Sequence, residues 1–105
     1  MSKKIDDVKD IKDIKLKQVL GAITNHEDQR FIEFVQNVCI TIENAILAER
    51  EECTVAIEKN HYMYNDSKIN EVINLLKSFD FNMNLLGGME IRKVYNIYIP
   101  EEYEV

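Results

Sequence analysis

The side chains that could do chemistry are few: two histidines, two cysteines, one glycine pair and a cluster of carboxylates. Cys39, Cys53 and His61 could converge on a metal, but neither Cys-x-x-Cys nor His-x3-His spacing pre-arranges them. A cysteine–histidine nucleophile pair would need a third group to orient the base, and none stands out. Cys39 belongs to an apolar helical stripe and Cys53 to the opening of a strand, so both are expected as buried thiols. His26 falls in a predicted first helical turn and His61 in a loop. Glu49, Glu51 and Glu52 crowd the end of a long helix, where acid opposes the helix dipole. They form either a functional acidic patch or a solvated helix end. These residues assemble no catalytic, cofactor or metal site, and the chain reads as non-enzymatic.

Gly87-Gly88 is the remaining candidate. A phosphate loop needs a following Gly-Lys-Ser/Thr and a helix, and a dinucleotide fingerprint needs three spaced glycines opening a helix. Here alternating strand residues follow instead. Register favours a three-residue Gly87-Gly88-Met89 connection, which pairs Leu86 with Glu90, Leu85 with Ile91, Phe81 with Tyr95 and Phe79 with Ile97. Met83 then lies beside Lys93. A one-residue slip would put charge on the apolar side, and glycine supplies the positive φ of a bulged turn. On this reading the outward side of the hairpin, at Val94 and Tyr98, becomes the functional suspect.

The elements that must position these residues follow from periodicity. The repeat DDVKDIKDIKLK steps its apolar residues around a helix, so residues 5–20 are expected as a weakly anchored helix or an arm that orders on a partner, with a break at Gly21. Thr24 and Glu27 have capping-box spacing. Phe31, Val35, Val38, Ile42 and Ala45 mark a long helix running to about Arg50. Ile40 and Leu47 lie on its other face, either as scattered exposed residues or as a second contact with the N-terminal helix or another subunit. Residues 53–58 read as a strand. A helix capped by Asp66 or Ser67 carries Ile69, Val72, Ile73 and Leu76. Two alternating strands follow from Phe79, and Pro100 closes the last one.

At 105 residues the chain is expected to be one domain: an N-terminal arm or helix at 1–22, a core at 23–100 and an acidic tail at 101–105. The fold class is α+β, two main helices packed on one face of a small, mostly antiparallel three-stranded sheet, in the order helix-strand-helix-strand-strand. No apolar run approaches the ~20 residues that cross a bilayer, and the Lys/Asp-rich start is not a secretory leader, so a cytoplasmic protein is expected. The net charge is −6, although residues 1–20 hold six lysines against four aspartates. An acidic body argues against direct nucleic-acid binding. It permits competition with nucleic acid for a basic partner, or simply confers solubility. Tyr62, Tyr64, Tyr98 and Tyr103 are contact-prone residue types.

The segments AILAEREECTVAIEKN, INEVINLLKSFDFN and VYNIYIP, in that order, resemble the layout of small uncharacterised accessory proteins of tailed bacteriophages. Such proteins commonly carry a glycine between first helix and strand, where this chain has Glu51-Glu52. The resemblance implies a phage-encoded protein that binds and inhibits a host or defence protein in the bacterial cytoplasm. The alternative is a homo-oligomer, such as a homodimer, that is structural or sequesters a small ligand. Candidate contacts are Ile40, Leu47, Glu49, Glu51, Glu52, Tyr62, Tyr64, Val94 and Tyr98.

Overall fold

The computed structural model describes residues 4–100; Tyr103 and the acidic tail lie outside them. A 3-10 turn at Val8–Asp10 leads into α1 (Ile14–Ile23), α2 (Gln29–Leu47), β1 (Glu52–Glu58), α3 (Asp66–Lys77), β2 (Asn82–Met89) and β3 (Arg92–Tyr98). The strands form one antiparallel sheet in the order β1-β3-β2. The fold is therefore α+β, as expected, with three α-helices, the N-terminal segment taking the helical one of its two expected forms. Among the described residues no helix is long and apolar enough to cross a membrane.

The expected α2 stripe of Phe31, Val35, Val38, Ile42 and Ala45 is buried, with Cys39 beside it. It shares the core with Ile69, Val72 and Leu76 of α3 and with sheet residues Cys53, Ile57, Met83, Tyr95 and Ile97. Alternation along β1 and β3 puts those sheet residues on one face.

The N-terminal residues dock on their own chain. Ile5 and Ile11 are buried, as are Leu16, Val19 and Ile23 of α1. Asn44 clasps the Ile5 backbone from both sides: its Oδ1 accepts from Ile5 N–H at 2.6 Å and its Nδ2 donates to Ile5 C=O at 3.1 Å. Glu43, only 2% exposed, accepts from the N–H groups of Lys12 and Asp13 at 3.3 Å. Both polar residues lie between Ile40 and Leu47 on one face of α2. Ile40 is half-buried against the core and Leu47 is 37% exposed. The N-terminal segment docks on that face through Glu43 and Asn44, beside the exposed Leu47.

Four boundaries in the helical segments differ from expectation. The single helix over 5–20 is two segments, because Asp7 and Asp13 each cap a new start, accepting from Lys9 N–H and Leu16 N–H. Gly21 does not break α1. Burying Ile23 outweighs the ~1 kcal/mol that glycine costs inside a helix. With α1 extended to Ile23, Thr24 is its C-cap and turns its hydroxyl back to Leu20 C=O at 3.0 Å. Asp28, not Thr24, caps α2, and Asn65, not Asp66 or Ser67, caps α3.

Both core helices end on an acidic residue in left-handed backbone. After α2, Glu49 has φ 58°, with Glu49 N–H donating to Ile46 C=O and Arg50 N–H to Ala45 C=O. After α3, Asp80 has φ 70°, with the same pair of bonds to Lys77 and Leu76. This closure normally uses glycine. It stops α2 at Leu47, short of Arg50.

Candidate interaction surface

The hairpin departs most from its expected form. Gly87 and Gly88 are not the turn. Both lie within β2 with φ outside the left-handed region, and the connection is Glu90-Ile91. Tyr95 pairs with Leu85 rather than Phe81, Ile97 with Met83 rather than Phe79, and Lys93 with Gly88 rather than Met83. The displacement along β2 is four residues up to Leu85 and five beyond the bulge. Up to Leu85 the displacement is even, so Met83, Tyr95 and Ile97 are still buried together, whereas Leu85 and Ile91, expected on the same face, are 54% and 59% exposed. Leu86 then forms a bulge between Leu85 and Gly87. The bulge absorbs the extra residue that the sequence pattern assigns to an odd-length loop.

This register builds a depression on the outer face of the sheet. Along the central strand β3, Arg92, Val94, Asn96 and Tyr98 point away from Lys93, Tyr95 and Ile97. Val94 is flanked by Ala56 of β1 and Gly87 of β2, the smallest pair of neighbours in the sheet. Leu86, Ile91 and Arg92 stand around it, and with both glycines they enclose an open depression of about 560 Å³. Leu86 and Ile91 are 60% and 59% exposed. A Cβ added at Gly87 would meet no atom within 4 Å. Gly87 therefore keeps the floor open, whereas a Cβ at Gly88 would touch Lys93 Cγ at 3.5 Å; neither glycine turns the chain.

Tyr98, 47% exposed, lies on the same face two pairs further along. Between it and Val94 sits Asn96, buried, with its Nδ2 donating to Glu52 Oε2 at 3.2 Å. No family model, curated protein or solved structure matches the chain.

The other candidate contacts are not brought to this depression. The Tyr62 ring lies beneath the Arg30 guanidinium at 3.6 Å and the Lys68 ammonium at 4.4 Å, and its hydroxyl donates to Asp28 Oδ2. Tyr64 lies under the Lys93 ammonium at 4.7 Å, which also bonds Asp66 at 2.8 Å. Each tyrosine is half-buried and joins the loop before α3 to a neighbouring element. Glu49, Glu51 and Glu52 are exposed along the α2–β1 link, and Glu51 C=O accepts from Ile99 N–H at 2.8 Å.

The histidines serve as local acceptors. Nδ1 of His26 accepts from Asp28 N–H and Nδ1 of His61 from Met63 N–H, both at 3.0 Å. His26 Nε2 lies 3.2 Å from Glu71, and its ring stacks on Phe31 with centroids 4.1 Å apart. Burial pushes the Cys39 thiol up to about 12, with Asp13 adding to the shift. Burial likewise raises Cys53 to about 11, against a lowering pull from Arg50. Neither is a thiolate at neutral pH, so neither is an activated nucleophile. Among the described residues no group of three or more His, Cys, Asp or Glu side chains could hold a metal ion.

Leu86 and Ile91 are the surface residues that sequence reasoning missed. Leu86 lies at the bulge and Ile91 in the turn, so their exposure follows from the register. Reading the glycines as the connection hid it.

Proposed function

We propose that the protein is a non-enzymatic binding module that docks another protein onto the hairpin depression. The observation that carries this reading is the grouping of Leu86, Ile91 and Val94 around a glycine floor on an otherwise polar open face. Exposed apolar side chains gathered in one place mark interaction sites more often than singly scattered ones do. Arg92 at the rim adds a residue type enriched at interfaces. The resemblance in layout to phage accessory proteins supplies the partner class: a host or defence protein in the bacterial cytoplasm, inhibited by occupancy.

Gly87→Val tests this without disturbing the core, because its Cβ enters open space and valine suits a strand. Immobilised wild-type protein and the exposed control Lys77→Gln should retain a stoichiometric partner from host lysate. Gly87→Val and Leu86→Asp should lose it. A partner that stays bound to both hairpin variants refutes the assignment of the surface. The same patch also suits a second copy of the chain. Light scattering decides between them: a dimer that Leu86→Asp dissociates favours self-association, and a monomer excludes it.

A further inference from the structure

The opposite end of the sheet holds a second cavity, separate from the hairpin. It is a cleft of about 530 Å³ between the last turn of α2, the N-terminal segment and β1. Its charged lining is Lys4 and Arg50, with no carboxylate, in a chain of net charge −6. Glu49 and Glu51 are near in sequence but do not line it. Glu52 turns to the other face of the sheet, toward Asn96. Among the described residues neither Lys4 nor Arg50 has an ion-pair partner.

The backbone of β1 supplies a second feature of the cleft. Ile99 N–H donates to Glu51 C=O, Lys59 N–H donates to Ile91 C=O, and Cys53 pairs with Ile97. Odd-numbered residues of β1 therefore turn their peptide groups toward β3. Even-numbered ones turn theirs to the outer edge, where no further strand of the sheet lies. Thr54 is one of these, and it lines the cleft. The other polar lining groups are already engaged: Thr41 Oγ1 donates to Asn37 C=O, and the Asn44 amide holds Ile5. What the cleft offers a ligand is two cations beside one strand-like N–H and C=O pair.

We infer that this cleft binds an extended peptide bearing a carboxylate. The peptide backbone would bridge to Thr54 as an added strand residue, and the carboxylate would take charge-assisted hydrogen bonds from Arg50 and Lys4. The carboxylate could be a glutamate side chain or a chain terminus, since the chemistry is the same.

The test is an NMR titration of the full chain with three probes: acetyl-Ala-Ala-Glu-amide, acetyl-Ala-Ala-Ala with a free carboxylate, and acetyl-Ala-Ala-Ala-amide. Saturable shifts at the Thr54 and Arg50 amides are expected with one or both acidic probes, and the one that binds identifies the source of the carboxylate. The neutral amide should bind at least about tenfold more weakly. Arg50→Gln and Lys4→Gln should each weaken the acidic probe severalfold, with spectra otherwise unchanged. Thr54→Pro removes the outward N–H while sparing the β1–β3 ladder, and it should also abolish binding. The inference is overturned if no probe gives saturable shifts up to about 10 mM, a concentration that would detect even a millimolar site. It is equally overturned if the neutral amide binds as well as the acids, or if Arg50→Gln leaves affinity unchanged.

Discussion

Replacing Asn44 by alanine removes both hydrogen bonds that hold the Ile5 backbone to α2, at 2.6 and 3.1 Å. Each such bond contributes about 1 kcal/mol net. The expected destabilisation is about 2 kcal/mol. With an m-value of about 1.3 kcal/mol/M, the urea midpoint should fall by about 1.5 M. Loss of the whole N-terminal segment would cost more, because burying Ile5 and Ile11 contributes about 1.5–3 kcal/mol each. That larger loss is not expected, since Glu43 still accepts from Lys12 and Asp13. Hydrogen exchange separates the two outcomes. In Asn44→Ala the Ile5 amide should lose protection while Lys12 and Asp13 keep theirs. A midpoint shift below about 0.4 M, or an unchanged Ile5 amide, would refute the clasp.

Glu49→Gly should stabilise the protein by about 1 kcal/mol in urea melts, because φ 58° strains any residue with a Cβ. Asp80→Gly should gain less, since it gives up the 2.9 Å contact with Lys15. Asp28→Ala removes the α2 cap and the acceptor of the Tyr62 hydroxyl, and should lower stability by about 1–2 kcal/mol. Tyr62→Phe should recover part of that loss in a double-mutant cycle. Cys39 and Cys53 should resist iodoacetamide at pH 8 in the native state and react readily in urea. Their folded values near 12 and 11 lie above the ordinary 9.0. Above pH 9 the unfolded chain therefore releases protons that the folded chain keeps. Stability is unaffected by these thiols below pH 9 and falls as pH rises toward 11–12, by at most about 1.4 kcal/mol per pH unit for each. Cys39→Ala/Cys53→Ala should flatten that decline, and an unchanged slope in alkaline urea melts would count against it.

The parts of the fold that were legible depend on local periodicity. The α2 stripe and the Ile69/Val72/Leu76 stripe of α3 mark one buried face each, and both are buried as the pattern implies. The facing of Met83, Tyr95 and Ile97 toward the core was also legible from alternation, but that of Leu85 and Ile91 was not, since both are exposed. The register itself was not. Nothing local separates Phe81 opposite Tyr95 from Leu85 opposite Tyr95, and the bulge at Leu86 removes the parity that would have fixed the loop length. Helix starts failed for a related reason. Thr24 and Asp28 are both competent caps, and the burial of Ile23 in the tertiary core settles the choice between them. The docking of the N-terminal residues depends on a contact between positions 39 apart, Ile5 and Asn44. Its only trace in the sequence is a pair of polar residues set between Ile40 and Leu47. Of the candidate surface, Val94 and Tyr98 could be named from alternation alone. Leu86 and Ile91 could not, because their exposure follows from where the turn falls.

The strand order β1-β3-β2 has a consequence for synthesis. The middle strand is the one translated last of the three, and β1 and β2 have no hydrogen bonds to each other. Until Arg92–Tyr98 has left the ribosome, two strands wait with both edges unpaired while the helices are already available to form. The sheet therefore cannot assemble piecemeal during elongation. Its pairing starts only once β3 is available, and a chain stopped before β3 would hold none of these ladders.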